Sequence, residues 1–294
     1  GLDATATAAA WAAMRHALRN LGRPGLGWEA LSAIDIALWD RKARSLDLSL
    51  AALLGPARAA VPVYGSGGFT SYDDARLAAQ LAGWVARGLT MVKIKVGRDP
   101  ARDLQRVRLA RATIGPDTRL FVDANGAWSR KQALAQLDAF ADFDVTWAEE
   151  PVSPQDLAGL RLVRDRAPAG VDVAVGEYGY LLADFRRLLA ADCVDVLMAD
   201  GTRCGGVTGL LAVAALAESH DLPLSTHCAP QLHAHVGAAL RPLRHLEYFH
   251  DHARIERTLF DGALDPAGGH LTPDPSRPGL GVALREADAE PYAH

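Results

Sequence analysis

The stretch that decides the fold is Met91–Asp123, MVKIKVGRDPARDLQRVRLARATIGPDTRLFVD, in which a strand pattern, an amphipathic helix pattern and a second strand pattern follow one another. The same alternation extends from Val61 to the region of Glu247, with eight short β-branched runs separated by helical stretches. Alternating β and α elements predict a parallel sheet. Eight units in about 200 residues favour a closed TIM-type (β/α)8 barrel over an open doubly wound sheet.

Three stretches divide the chain. Residues 1–57 predict helices only, residues 58–262 carry the barrel pattern, and residues 263–294 are rich in Pro and Gly. In the helical pattern of residues 28–42, apolar side chains recur at helical spacing at Leu31, Ile34 and Leu38. We expect the last stretch to be irregular and to return to the N-terminal helices. Because the chain begins Gly-Leu-Asp without Met, we also expect natural sequence to precede Gly1.

Composition excludes several classes of protein. The 294 residues include 31 Lys+Arg and 35 Asp+Glu, and 49% are apolar, which excludes intrinsic disorder. No apolar run reaches the roughly 18–20 residues of a membrane span. The pI of 6.2 is unfavourable for a nucleic-acid-binding surface. Three cysteines without CxxC spacing (Cys193, Cys204, Cys228) argue against a disulfide framework and a structural zinc site, and for a reducing compartment, which we expect to be the cytoplasm.

Polar residues follow the apolar runs where the barrel strands should end. In a barrel of this kind, functional residues lie at the carboxyl ends of the strands. From the second run to the eighth, these residues are Lys93, Lys95, Asp123, Asn125, Glu149, Glu150, Glu177, Asp200, His227 and Glu247. We therefore expect them to surround one site.

The third, fourth and fifth runs each end in an acid. Neighbouring strands lie about 4.8 Å apart, so Asp123, Glu149 and Glu177 at one height would repel each other unless a cation lay between them. Oxygen ligands of this kind suit Mg²⁺. Glu149 is the expected ligand of its pair, because Glu150 should point to the other side of the strand.

Two candidate bases face each other across the predicted mouth. Lys93 and Lys95 lie on one face of the second strand, and their proximity should lower a lysine pKa towards the range of a general base. On strands six and seven, Asp200 should orient the imidazole of His227. A metal beside a substrate carboxylate would stabilise the enediolate that proton abstraction produces.

Each residue alone has a simpler interpretation. A strand-end acid more often caps a helix or lies in solvent, a lone lysine is most often a surface charge, and His227 could be a buried structural histidine. We interpret His233, His235, His245, His250 and His252 as structural. The joint occurrence of chemically compatible residues at seven successive strand ends favours a functional site.

The motifs resemble those of one known family. They cover nearly the whole chain and comprise Ala33–Asp40, Lys93-x-Lys95, Val122–Asn125, Trp147–Pro151, Gly176–Glu177, Asp200–Thr208, Ser225–His227 and Leu246–Glu247. Together they resemble the mandelate racemase group of the enolase superfamily. The fold that this resemblance implies is a modified (β/α)7β barrel with part of an α+β capping domain, of which residues 1–57 would be a helical remnant.

The resemblance implies a role for each matched residue. Asp123, Glu149 and Glu177 would hold an essential Mg²⁺. Lys95 would be the base on one face with Lys93 tuning it, and His227 paired with Asp200 would act on the other. Glu247 would hydrogen-bond the substrate carboxylate, while Asn125 and Arg203 would contact substrate or support the site.

The resemblance also implies a reaction class. Members with this pattern are acid-sugar dehydratases, which give 2-keto-3-deoxy acids, or racemases and epimerases of 2-hydroxy acids; we rank dehydration first. A muconate-cycloisomerase type is disfavoured, because Asp200 stands where that type carries a lysine. A lysine Schiff-base aldolase would leave the three acids unexplained, and a non-catalytic barrel remains the fourth possibility. We expect a small carboxylate as the partner, no nucleic acid or membrane, and a homo-oligomer, a dimer or an octamer.

Substrate choice is the least determined property. Part of the capping domain, whose mobile loops select substrate in this family, is absent from the pattern. Tyr64, Ser66, Tyr178 and Tyr180 are candidates for reading substrate hydroxyl groups.

Overall fold

The computed structural model describes residues 3–293, and the chain before the first strand is helical. Its helices are α1 (Thr7–Ala17), α2 (Leu26–Ser45) and α3 (Leu50–Leu54). Leu31 is buried as the helical spacing suggests, but Ile34 is 51% exposed. The buried face of α2 instead includes the polar residues Ser32 and Asp35. A buried polar side chain needs hydrogen-bond partners, and these lie on the barrel.

Eight parallel strands form a closed barrel, as the sequence predicts. They are β1 (Val61–Gly67), β2 (Met91–Lys95), β3 (Arg119–Asp123), β4 (Val145–Glu149), β5 (Asp172–Val175), β6 (Val196–Ala199), β7 (Leu224–Thr226) and β8 (Leu243–Phe249). Each strand pairs in parallel with the next, and β1 pairs with β8 to close the cylinder. All eight carboxyl ends therefore open on one mouth.

Helices connect these strands on the outside. They are α4 (Asp74–Ala86), α5 (Pro100–Ile114), α6 (Arg130–Phe140), α7 (Leu157–Arg166), α8 (Leu182–Ala190), α9 (Gly206–Glu218) and α10 (Pro230–Ala239), and α11 (His250–Leu259) follows β8. Local signals start several of them: the Asp73 carboxylate accepts from the Arg76 amide, and Ser129 with Gln132 forms a capping box. The sequence pattern did not indicate α10 or α11, because α10 is buried nearly all round and α11 is mostly polar.

The barrel interior has an apolar floor. Tyr64, Phe121, Trp147 and His245 pack together there, with ring centroids 4.9–6.4 Å apart. Lys93 lies above this layer, with its Nζ 5.3 Å from the centre of the Tyr64 ring. This aromatic layer therefore underlies the charged site at the mouth.

The chain after α11 returns to the N-terminal helices. It contains β9 (Phe260–Asp261), β10 (His270–Leu271), β11 (Ala283–Leu284) and α12 (Glu286–Ala289). The strand β10 extends β1 in antiparallel fashion, and the Leu280 amide donates to Asp40 of α2. Within residues 3–293, no helix combines the length and apolarity that a membrane crossing needs. The division at residues 57 and 262 stays a prediction.

Candidate active site

Strand register brings the predicted residues to one level. Lys95 pairs with Asp123, and Asp123 pairs with Glu149 on the next strand. Glu177 follows β5 after Gly176, whose φ of 142° favours glycine. A Cβ there would also collide with the carbonyl of Met198 on β6. Glycine therefore lets the chain turn at this point and carry Glu177 into the mouth.

Three buried carboxylates form the acid trio of Asp123, Glu149 and Glu177. One oxygen from each lies within 4.8 Å of the others. The Oε1 atom of Glu149 is buried without a hydrogen-bond partner among the described residues, which is costly unless a cation binds it. The donors are all carboxylate oxygens, the set that suits Mg²⁺. The residues present thus fit the cation that the sequence suggests.

Lys93 is fully buried among acids. Its Nζ lies 2.5 Å from Glu149 Oε2, 2.9 Å from Glu247 Oε1 and 3.4 Å from Asp123 Oδ2. Lys95, which is partly exposed, donates to Asp123 Oδ2 at 2.5 Å. The lysine side of the mouth is thus a network of ion pairs.

The predicted depression of the lysine pKa is wrong for this arrangement. Burial by itself lowers the pKa of both amines, but the adjacent carboxylates outweigh burial and raise both above the ordinary value. For Lys95 the main opposing charge is Asp123, whose own pKa falls to about 2 despite its burial. The sequence argument counted the neighbouring lysine and omitted the acids. A divalent cation among the same carboxylates would oppose this stabilisation of the charged amines.

The other base is the predicted pair of His227 and Asp200. His227 Nδ1 lies 2.8 Å from Asp200 Oδ2, and its Nε2 lies 3.0 Å from Glu177 Oε2. Burial lowers the pKa of His227, but the hydrogen bond with Asp200 outweighs it and the pKa rises well above its usual range. Burial likewise raises the pKa of Asp200, yet the contact with His227 brings it to about 2. The acid trio therefore has Lys95 at one end and His227 at the other.

His233, interpreted from sequence as structural, links the two loops that carry this pair. Its Nδ1 lies 2.7 Å from the carbonyl oxygen of Cys228, and its Nε2 accepts from the Gly201 amide at 3.0 Å. Because Nε2 must be unprotonated to accept, the ring is neutral; burial lowers its pKa accordingly. No local sequence signal distinguishes His233 from the other histidines nearby.

Glu247 is anchored by neighbours on both oxygens. Ser66 donates to Oε1 at 2.6 Å, and the Cys228 amide donates to Oε2 at 2.8 Å. Burial raises its pKa, but the charge of Lys93 dominates and holds it well below the usual value. Glu247 is thus fixed as a carboxylate at the mouth, and Ser66 acts through it.

The two remaining predicted residues lie at the rim. The backbone nitrogen of Asn125 donates to Asp123 Oδ1, while its exposed side chain lines a groove that Lys95 also lines. Arg203 donates to the carbonyl oxygen of Glu177 at 2.9 Å, with its Nε 3.8 Å from Asp200. Asn125 is placed to reach a substrate near Lys95, whereas Arg203 braces the loop after β5.

Glu150 lies outside the acid trio but remains buried. It lines a cavity of about 410 Å³ bounded also by Pro24 and Tyr178, and within residues 3–293 neither of its carboxylate oxygens has a hydrogen-bond partner. Burial and the nearby Glu177 raise its pKa to about 8. Among the tyrosines, Tyr64 is wrong as a substrate contact, since it lies in the apolar floor, and Tyr180 is engaged in a hydrogen bond to Glu29.

The N-terminal helices form hydrogen bonds with the loop after β6 and the first turn of α9, an arrangement that the sequence argument missed. Asp35 accepts from the amide and the hydroxyl of Thr208, and Ser32 Oγ accepts from the Gly205 amide. Trp11 donates to the Gly205 carbonyl, and Trp39 donates to the Thr208 hydroxyl. We call Trp11, Ser32, Asp35 and Trp39 the clasp. Its only sequence signal is the Ala33–Asp40 motif, which contains Asp35 and Trp39.

Family models match both parts of the chain. The model described as enolase C-terminal domain-like matches residues 76–288. The mandelate racemase/muconate lactonizing enzyme N-terminal domain model matches residues 1–55. The first match alone covers more than half of the chain.

Individual relatives agree with this match. The 3,6-anhydro-α-L-galactonate cycloisomerase of Streptomyces coelicolor is 35% identical over 97% of this chain and 77% of its own length. A mandelate racemase/muconate lactonizing enzyme-like protein from Rubrobacter xylanophilus has a TM-score of 0.98 at 56% identity, covering 100% of this chain and 82% of its own.

A third relative carries ligands. The L-talarate dehydratase from Polaromonas sp. JS666, solved with Mg and L-glucarate, has a TM-score of 0.89 at 34% identity, covering 99% of this chain and 80% of its own. The prediction of Mg²⁺ as the cofactor is confirmed by this relative together with the geometry of the acid trio. The chain therefore belongs to the mandelate racemase/muconate lactonizing enzyme family of the enolase superfamily.

Proposed function

We propose that this protein is a Mg²⁺-dependent acid-sugar dehydratase. The observation that carries the proposal is the placement of Lys95 and His227 at opposite ends of the acid trio, in contact with Asp123 and Glu177 respectively. Dehydration of an acid sugar needs one group to take the proton beside the carboxylate and another to protonate the departing hydroxyl. The dehydratase relative solved with L-glucarate supports this reaction class.

Each residue has a defined task in this reaction. When bound by the acid trio, Mg²⁺ supplies Lewis-acid stabilisation of the negative charge that develops on the substrate carboxylate. Lys95 Nζ takes the C2 proton. Lys93 and Glu247 set the electrostatic environment of the Lys95 amine. Asp200 accepts a hydrogen bond from His227 Nδ1 and favours the imidazolium form, which also carries a proton on Nε2. His227 gives this proton to the 3-hydroxyl group, which leaves as water, and the enol product becomes a 2-keto-3-deoxy acid.

A cycloisomerase is the second candidate, favoured by the 35% identical relative from Streptomyces coelicolor. Opening a 3,6-anhydro ring also removes the C2 proton and breaks the C3–O bond, but the leaving oxygen stays attached to the product. The substrate and product then have equal mass, whereas dehydration removes one water. Mass spectrometry of the product therefore separates the two activities.

A racemase or epimerase of a 2-hydroxy acid would use the same two bases without breaking a C–O bond. In deuterated water it would place deuterium at C2 of both epimers while the carbon skeleton stays intact. A 2-keto-3-deoxy product excludes this alternative for the substrate concerned.

The test is a screen of acid sugars and anhydro-sugar acids with Mg²⁺, read by the formation of 2-keto-3-deoxy acids. Lys95→Ala and His227→Ala should each lower kcat by at least about 10²–10³-fold. Matched controls are Lys131→Ala and His220→Ala, which alter exposed residues of the same types outside the site. Full activity of both active-site variants would overturn the proposal.

A further inference from the structure

The mouth contains a second cluster of ligand atoms beside the acid trio. One ligand atom each from His227, Cys228 and Glu247 lies within 4.8 Å of the others. His227 Nε2 is 3.3 Å from Cys228 Sγ and 3.9 Å from Glu247 Oε2. Ligands bound tetrahedrally to zinc at about 2.0–2.3 Å are themselves about 3.3–3.8 Å apart. The separation of Nε2 and Sγ lies within this range, and Glu247 Oε2 needs a shift of about 0.1 Å or more relative to Nε2 to complete the set.

The surrounding contacts orient these atoms towards one another. Asp200 binds His227 at Nδ1, which is the carboxylate–histidine arrangement that commonly supports a zinc-bound Nε2. Glu247 uses Oε1 for Lys93 and Ser66, so that Oε2 is the oxygen on the side of Cys228. Cys228 has a positive φ of 53°, an uncommon backbone conformation for a non-glycine residue. Its Sγ lies beside the His227 ring, next to Nε2.

We propose that His227, Cys228 and Glu247 form an inhibitory site for a thiophilic divalent cation, with Zn²⁺ as the fitting ion. The imidazole and thiolate donors select zinc, whereas the all-oxygen acid trio selects magnesium. Binding converts the Cys228 thiol to a metal-bound thiolate and releases its proton to solvent. Water fills the fourth position. The absence of CxxC spacing in the sequence does not bear on this site, because Glu247 enters from the neighbouring strand.

Inhibition follows from the shared imidazole. Zinc on His227 Nε2 occupies the nitrogen that protonates the leaving hydroxyl group, so this consequence rests on the proposed function. The metal site itself does not, because its binding can be measured without substrate. The two proposals can therefore fail separately.

The first experiment uses the full chain saturated with Mg²⁺ and one equivalent of Zn²⁺. Zinc X-ray absorption should show one sulfur ligand at about 2.3 Å together with nitrogen and oxygen ligands at about 2.0–2.2 Å. Co²⁺ in place of Zn²⁺ should give a near-ultraviolet thiolate-to-cobalt charge-transfer band. A zinc spectrum with nitrogen and oxygen ligands only would overturn the proposal, and this measurement needs no variant.

The second experiment compares two cysteine variants. Cys228→Ser should remove the cobalt band and weaken zinc binding by about tenfold or more, because a hydroxyl is a poor ligand for a soft cation. Cys204→Ser, which changes another buried cysteine, should keep both properties. If an acid sugar is turned over, Cys228→Ser should raise the zinc concentration for half-inhibition to the same extent. A band that persists in Cys228→Ser, or disappears in Cys204→Ser, would contradict the assignment.

Discussion

On the β2–β4 side of the mouth, Lys93 and Lys95 are held by the opposite charges of Asp123, Glu149 and Glu247. On the β6–β7 side, His227 lies between the carboxylates of Asp200 and Glu177, and its loops are joined through the neutral ring of His233. Three carboxylates on the first side depend on the single amine of Lys93, whereas His227 keeps one carboxylate partner when the other is removed. Substitutions on the lysine side should therefore change stability and activity together. On the histidine side, activity should respond more than stability.

The largest effect is expected from Lys93→Met. It removes the cation that three buried carboxylates share, so we expect loss of activity and a decrease of roughly 3–5 kcal/mol in the free energy of unfolding without metal. Mg²⁺ should recover part of this loss by replacing the missing positive charge. Urea unfolding with and without Mg²⁺ measures both effects, with the exposed Lys131→Met as control. A decrease below about 1 kcal/mol would show that the ion pairs are not structural.

Asp200→Asn should separate activity from stability on the histidine side. The amide preserves the shape and can accept from Thr202, but it no longer stabilises the imidazolium form of His227. We expect kcat to fall by roughly 10³–10⁴-fold. The free energy of unfolding should fall by less than in Lys93→Met, because Glu177 Oε2 still lies 3.0 Å from His227 Nε2. Steady-state kinetics and urea unfolding test this, with the exposed Asp138→Asn as control. A loss of unfolding free energy as large as that of Lys93→Met would contradict the contrast between the two sides.

His233→Ala should have a smaller effect on kcat. Loss of the bridge between Cys228 and Gly201 leaves two backbone groups without that partner, at a cost of about 1–3 kcal/mol. We expect kcat to fall by about tenfold, with less effect on KM, because the substrate does not touch the ring. His233→Gln can donate and accept across the same gap and should recover much of kcat. Equal activity in the two variants would show that His233 has no positioning role.

Ser32→Ala is expected to have the smallest effect. It deletes the acceptor of the Gly205 amide and should cost about 1 kcal/mol of unfolding free energy with a few-fold decrease in kcat. Ser45→Ala on the exposed end of α2 is the matched control. An unchanged kcat with lowered stability would show that the clasp holds the helices without aligning Asp200.

The sequence predicted the barrel and the convergence of its strand-end residues because both follow from local patterns. Lys95, Asp123 and Glu149 each end an apolar run, and parallel register then places them side by side. Metal-assisted proton abstraction followed from the residue types at those positions. The dehydratase or racemase class came from the resemblance to the family, and the comparisons support it at the level of the family.

Other features depend on long-range pairs that no local pattern encodes. Ser32 contacts Gly205 and Asp35 contacts Thr208, in each case across 173 residues of sequence. The polar buried face of α2 was therefore not recognised, and Ile34, which was expected on the buried face, is exposed. The lysine pKa was misjudged for a related reason. It depends on all the charges that converge on one amine, and only one of them, the other lysine, lies on the same strand.

The clasp has a consequence for recombination between family members. A crossover at the predicted boundary near residue 57 would pair α2 of one parent with the loop after β6 of another. Asp35 and Ser32 would then face a loop selected against different partners. A crossover between α1 and α2, in residues 18–25, keeps most of the clasp within one parent and leaves only Trp11 to be matched. In chimeric enzymes, α2 is therefore best inherited together with the barrel.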